Sequence, residues 1–200
     1  MASYTIDNAM HIIEIARSAI ELHIRSPGFD PQRLERQLGF EFASNERVMV
    51  RLMHYQTNTP RAVSEIVERA PVARAVIKAS LSAAFGPQNS VPVSIDELNE
   101  LVIEVDIMHD PVQLTGSYIS KRNEIELGRH GLIVEYGSRK GVVLPSYALE
   151  KKLGRLELLE EACIAAGLAK DYWKQPKIRL FKFSVQRLME ETPNGKVKIL

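Results

Sequence analysis

In the segment LVIEVDIMHDP, residues Leu101 to Pro111, four ionisable side chains stand close together: Glu104, Asp106, His109 and Asp110. If the segment is a strand, Glu104 and Asp106 share one face and lie about 6 to 7 Å apart along it. Two carboxylates and an imidazole at that spacing suit a divalent cation or acid and base work. The plainer reading makes them the solvated side of a half-exposed strand whose other residues, Ile103, Val105 and Ile107, turn inward. We take that reading, keep Glu104 as a candidate ligand-binding residue and assign no metal site.

A second concentration of chemistry lies in GRHGLIVEYGSRKGVVLP, from Gly128 to Pro145. Leu132 to Tyr136 and Val142 to Leu144 read as two strands of a β-hairpin, joined by a five-residue turn, Gly137 to Gly141, whose glycines supply positive φ angles. Such a turn raises Arg139 and Lys140, with Arg129 and His130 at the entrance to the first strand. A cationic loop on a rigid base suits an anionic ligand, although solvated turn residues are the commoner explanation. His130 is either a capping, hydrogen-bonding histidine or a catalytic one.

Other reactive residues have simpler roles. Cys163 falls on the apolar stripe of a helical segment and is expected to be a buried structural thiol. As the single cysteine it excludes disulfides within the chain, thiolate zinc sites and iron-sulfur clusters. His11 and Glu14 lack the HExxH spacing and are expected at the surface. Tyr172, Trp173, Phe181 and Phe183 interleave with Lys174, Lys177, Arg179, Lys182 and Arg187, a composition shared with single-strand nucleic-acid surfaces. A strand sends alternate residues to opposite faces, so the aromatics are expected in the core and nucleic-acid binding stands as an alternative only. GxSxG, P-loop, GxGxxG, CxxC and HExxH motifs are missing, and no cofactor is expected.

The elements that must position these groups follow from periodicity. With 45% hydrophobic residues, 200 residues can bury a core as one large domain or two small subdomains. Lys plus Arg is 26 and Asp plus Glu is 25, so net charge points to no nucleic-acid binder and no acidic tail. The start lacks the pattern of a signal peptide and no run reaches the length of a membrane helix, so a cytoplasmic protein is expected. A helix is predicted from Asn8 to Arg25 behind Asp7 as N-cap, ended by Ser26-Pro27-Gly28, and a second from Asp30-Pro31 to before Gly39. The first strand is RVMVRLMHY. Val63, Ile66, Val67 and Ala70 then repeat at helical spacing after Pro60, and Pro71 restarts a helix that closes at Gly86. Ser94 caps a short helix, and Leu101 to Met108 is a strand. After Pro145 a short helix runs to Gly154, and a longer one carries Leu156, Leu159, Cys163 and Ala166 up to Gly167. Ile178 to Met189 is a long strand, turned at Pro193-Asn194-Gly195 into a final short one.

The C-terminal half resembles the AMMECR family, the domain also called AmmeMemoRadiSam system protein A. The residues that carry the resemblance are Gly128-Arg-His-Gly-Leu-Ile133, the pair Gly137 and Gly141 with Val-Leu-Pro145, Ala148-Leu-Glu150, Leu158-Leu-Glu-Glu-Ala-Cys163, Ala166-Gly-Leu168 and Trp173. Weaker matches reach Ser82-Ala-Ala-Phe85, Glu97-Leu98, Ile103-Glu-Val105 and the first helix at Ala16-Arg17 and Ala19-Ile20-Glu21. The family's hallmark, Leu-Arg-Gly-Cys-Ile-Gly, falls on Pro60-Arg-Ala-Val-Ser-Glu65, where only Arg61 survives and Val63 replaces the cysteine. Ser146 stands where the family usually has glutamine. Over Pro60 to Glu65 the family pattern places a strand, whereas the local pattern with Pro60 predicts at least partial helix over 60–66.

What the resemblance implies is an α+β fold of two subdomains, each an antiparallel sheet with packed helices, separated by a cleft. The proline breaks at Pro111 and Pro176 divide the chain into a larger subdomain, residues 1 to about 111 plus 176 to 200, and a smaller one of about 112 to 175. A binding or accessory protein follows, its cleft receiving a large ligand or protein segment. The family's association implies a Memo-like or radical S-adenosylmethionine protein as partner. The alternative is an enzyme of undefined reaction that uses Arg61, Glu104, His130 and Arg139 and no cysteine. Ligand-binding candidates are therefore Arg61, Glu104, Arg129, His130, Arg139 and Lys140.

Overall fold

A computed structural model describes residues 4–26, 28–37, 44–87, 89 and 91–200. The expected helix stops at Pro27 and Gly39 lie outside the described residues. The chain divides into two compact units, Met1–Met108 with Gln186–Leu200, and His109–Val185. Both mix α-helices with antiparallel strands.

In the first unit, α1 (Ile6–Arg25) begins at Thr5, not Asp7. The Thr5 side chain accepts from the Asn8 N–H while the Asn8 side chain accepts from the Thr5 N–H, a reciprocal cap that leaves Asp7 free to face the helix dipole. α2 (Pro31–Gln37) follows, with the Asp30 carboxylate accepting from the Gln32 N–H. The strands are β1 (Asn45–His54), β2 (Thr59–Val63), β3 (Val67–Pro71), β4 (Leu101–Met108) and β9 (Val197–Ile199), completed by residues 186–190 of β8 (Arg179–Glu190). Their order is β2-β1-β4-β8, with β3 also on β1 and β9 on β8. α3 (Val72–Phe85) and the short α4 (Ile95–Leu98), capped by Ser94 as expected, complete the unit. Ile12, Ala16 and Ile20 of α1 and Val76, Ala79 and Ala83 of α3 pack with Val48, Val50 and Leu52 of β1 and Ile103, Val105 and Ile107 of β4. Each of the larger aliphatics contributes about 1.5–3 kcal/mol on burial.

The expected helix over 60–66 is absent: β2 and β3 both pair antiparallel with β1. Between them Ser64 keeps the ladder running. Its N–H donates to the Val50 carbonyl at 2.9 Å, and its Oγ accepts from the Val50 N–H at 2.9 Å. A side-chain oxygen here takes the place of a backbone carbonyl, and cross-strand pairing overrides the helical spacing of Val63, Ile66, Val67 and Ala70.

The second unit orders residues 179–185 of β8 with β6 (His130–Tyr136) and β7 (Arg139–Val143), and β5 (Val112–Gln113) lies on β8. α5 (Tyr118–Asn123), α6 (Pro145–Glu150) and α7 (Arg155–Ala165) surround it. α6 stops at Glu150 instead of running to Gly154, which caps α7. The buried stripe of α7 is Leu158, Leu159, Ala162, Cys163 and Ala166, while Leu156 is exposed. These residues close over Leu132, Val134, Val143, Leu180 and Trp173. α7 ends in a Schellman turn: the Leu168 N–H donates to Cys163 O, the Gly167 N–H to Ile164 O, and Gly167 takes φ +68°.

The hairpin is tighter than expected. Tyr136 pairs with Arg139, so the turn is two residues, Gly137 and Ser138, and only Gly137 has positive φ, at 59°. That is the type II′ pattern, whose twist matches the strands. Gly141 is needed for a different reason. A Cβ there would lie 2.3 Å from the Ala166 nitrogen and 2.6 Å from the Ala162 carbonyl oxygen, so the glycine lets α7 seat its last turn on β7.

Candidate functional site

The β1–β4 register sets Arg51 opposite Glu104 and Met49 opposite Asp106. Neither carboxylate is solvated: Glu104 is 5% exposed and Asp106 1%. The expected half-exposed strand is corrected, since all of β4 is buried. Two arginines from neighbouring strands account for this. Arg187 of β8 grips Asp106 in a fork, Nε to Oδ1 at 2.7 Å and Nη2 to Oδ2 at 3.1 Å. Arg51 Nη2 donates to Asp106 Oδ2 at 3.1 Å and lies 3.2 Å from Glu104 Oε2. Two cations and two anions balance, the condition under which such groups are tolerated away from water. A second buried pair acts the same way. Arg17 of α1 donates to both oxygens of Glu190 in β8, and to the carbonyls of Leu98 and Leu101, while Glu190 accepts from the Ile103 N–H.

Arg61 lies on β2, where Nε and Nη2 hold the Glu97 carboxylate and Nη2 donates to the Val91 carbonyl at 3.1 Å. Arg129 and His130 stand at the start of β6, and Arg139 and Lys140 follow its far end. Six residues of strand, about 20 Å, separate the two pairs, so the four cations do not form one patch. Arg129 is exposed and pairs with Glu126 at 3.0 Å, an interaction that holds the Glu126 carboxyl below its usual range. His130 closes the same turn: its ring Nδ1 accepts from the Glu126 N–H at 3.0 Å, and its backbone N–H donates to the Glu126 carbonyl at 2.9 Å. Burial and then the nearby Lys182 ammonium push its pKa down, which keeps the ring neutral and Nδ1 able to accept. Lys140 sits opposite Glu135 and is exposed.

Arg139 has a more defined setting. Its Nη1 donates to the Gly167 carbonyl at 2.8 Å, at the C-terminal end of α7 where the helix dipole favours a cation. With Tyr136, Gly137, Ser138, Leu168, Ala169 and Tyr172 it lines an open concavity of about 360 Å³. Tyr136 and Tyr172 meet edge to face at 4.9 Å, and the neighbouring Tyr136 side chain raises the Tyr172 pKa. Sequence reasoning named Arg139 but missed the two tyrosines. The hint was there in Tyr136 at the last strand position before the turn.

Cys163 is buried, and desolvation pushes its thiol up to about 11, so it is not a nucleophile at neutral pH. The aromatics Trp173 and Phe183 are buried, while Arg187, Arg179 and Lys182 pair with Asp106, Glu135 and Glu124. Tyr172 and Phe181 are half-buried and Lys174 and Lys177 exposed, so the expected division into core and rim holds for only part of the segment. Among the described residues no group of three or more His, Cys, Asp or Glu is placed to hold a metal ion, and no helix is long and apolar enough to cross a membrane.

These features define a mixed α+β protein with antiparallel sheets, charge pairs buried on its strands and a basic hairpin tip beside a tyrosine-lined hollow. The chain belongs to the AMMECR1 family, whose model matches residues 13–188. A protein of Methanopyrus kandleri is 31% identical over 200 residues, covering 97% of this chain and 94% of the relative. One of Thermococcus gammatolerans is 30% identical over 197 residues, covering 94% and 92%. The crystal structure of an uncharacterised protein from Pyrococcus horikoshii superposes with a TM-score of 0.83 at 29% identity, covering 95% of each chain.

Proposed function

We propose that this chain acts by binding, as an accessory protein that receives a protein segment or another large ligand. One observation carries the reading: Glu104, Asp106, His130 and Cys163, four of the groups suited to catalysis, are engaged in holding the fold. Glu104 and Asp106 neutralise Arg51 and Arg187, the His130 ring closes a turn, and Cys163 is buried as a thiol. A general acid, base or nucleophile needs a reachable proton or lone pair. Side chains tied up in this way serve instead as a rigid scaffold. Surface recognition then falls to exposed groups, of which Arg139 and Lys140 at the hairpin tip are the best placed. The family resemblance suggests a Memo-like or radical S-adenosylmethionine protein as the partner. The test is affinity capture with the tagged chain, followed by cross-linking against purified proteins of those two kinds. Recovery of one of them as a cross-linked complex is expected; no complex with either, at concentrations up to tens of micromolar, overturns the reading.

A further inference from the structure

We propose that the hollow between the hairpin tip and the end of α7 is a carboxylate-binding subsite for a peptide segment, with Arg139 as the anion-recognising residue. The proposal rests on the binding reading above and names the chemistry that one part of the surface recognises.

Arg139 is held but not neutralised. A guanidinium carries five N–H donors in a planar fork, and the Gly167 carbonyl takes one of them. Among the described residues Arg139 makes no ion pair, whereas Arg129 and Arg179 of the same unit each have a glutamate. Fixing one nitrogen on the end of a helix orients the remaining donors and reduces the entropy lost when an anion is captured. Ser138, Tyr136 and Tyr172, each carrying a hydroxyl group, line the hollow with it. A tyrosine hydroxyl is protonated at neutral pH, so it can donate as well as accept.

The other walls select the body that carries the carboxylate. Leu168, Ala169 and the edges of two aromatic rings are apolar or amphipathic. A volume of about 360 Å³ is near the lower end of the range for ligand sites, about 300–1,000 Å³. That volume suits one residue-sized group, such as the end or a single side chain of a longer chain lying across the open hollow. A carboxylate on an apolar body of that size occurs at a peptide C-terminus, and a carboxylate alone on an acidic side chain.

The experiment uses the full chain, isotope-labelled for amide NMR, titrated with three small probes. N-acetyl-phenylalanine models a chain terminus, its amide removes the charge, and N-acetyl-aspartic acid α-amide models an acidic side chain. We expect shifts in the resonances of Gly137, Ser138 and Ala169 with N-acetyl-phenylalanine, at a Kd on the order of 1 mM. Loss of the carboxylate in the probe, or of the fork in Arg139→Gln, should each weaken binding about tenfold or more. Arg139→Lys, which keeps the charge without the fork, should fall between. Because Arg139 is exposed, the variants should fold, and an unchanged amide spectrum elsewhere checks this. Whichever carboxylate probe binds more tightly identifies the source. Equal binding of acid and amide, or full binding to Arg139→Gln, overturns the subsite, as does no shift with any probe at about ten times that concentration. Probe binding without partner capture overturns the accessory reading alone; capture that survives with no probe binding overturns the subsite alone.

Discussion

Asp106→Ala tests whether the buried carboxylates hold the fold or are held for chemistry. Asp106 Oδ1 and Oδ2 together receive three hydrogen bonds, two from Arg187 at 2.7 and 3.1 Å and one from Arg51 at 3.1 Å. Removing it leaves two guanidinium groups sharing Glu104, whose contacts are longer, 3.2 Å to Arg51 and 3.8 Å to Arg187. The site then loses one of the two carboxylates facing those arginines, at a position where the missing side chain was 1% exposed. Breaking a buried pair from one side costs about 3–5 kcal/mol. With a urea m-value of roughly 2–3 kcal/mol per molar, the midpoint falls by about 1–2.5 M. Far-UV circular dichroism is the assay, because Trp173 belongs to the other compact unit and its fluorescence follows that unit. Glu104→Gln should cost less, in keeping with its longer contacts. A double-mutant cycle with Arg187→Ala should return a coupling of about 1–3 kcal/mol. A loss below about 1 kcal/mol, or a gain in stability of the kind seen when strained functional groups are removed, would refute the structural role.

Two further outcomes follow from the second unit. Gly141→Ala places a Cβ against the backbone of α7, 2.3 Å from the Ala166 nitrogen and 2.7 Å from the Ala165 carbonyl carbon, where no side chain can swing away. It should cost about 1–3 kcal/mol or more by thermal denaturation, and a variant as stable as the parent would mean that α7 does not seat there. The His130 pKa is lower folded than unfolded, so the unfolded chain binds more protons and stability falls as pH drops from the unfolded value of about 6.5 toward the folded one. His130→Gln should therefore flatten the change in urea midpoint between pH 7.5 and 5.5 relative to the parent, and identical slopes would remove His130 from the account.

Local signals were strong where one periodicity ran uninterrupted. α1, α3, β4 and the long β8 could be read because their apolar spacing extends over two or more turns or four strand pairs, and Leu101 to Met108 matched β4 at both ends. The stretch from Pro60 to Ala70 failed because its decisive interactions are with β1. Nothing local announces that Ser64 Oγ will stand in for a carbonyl opposite Val50. Burial of Glu104 and Asp106 was hidden for the same reason. Their alternation with Ile103, Val105 and Ile107 is identical to that of a solvated face, and Arg51 and Arg187 lie 55 and 81 positions from Asp106 in the chain. α5 left a cap signal, Ser117 accepting from the Ser120 N–H, but a six-residue helix with no buried side chain has no apolar stripe to detect.

The altered stretch around Arg61 shows why losing the family's hallmark residues need not disturb the fold. β2 is held by main-chain pairing, Arg51 with Val63 and Leu52 with Ala62, and a ladder of backbone bonds accepts almost any side chain except where a neighbour comes too close. Alanine at position 62 is buried and valine at 63 is partly exposed on this edge, so neither needs to be glycine or cysteine for the strand to form. The one retained side chain, Arg61, ties β2 to Glu97 at α4 and to the Val91 carbonyl. What persists of the motif is thus the part that fixes position, and what is gone is the thiol. The strand, the anchoring arginine and the basic hairpin that remain are the parts the proposed binding function requires, and that function requires no thiol.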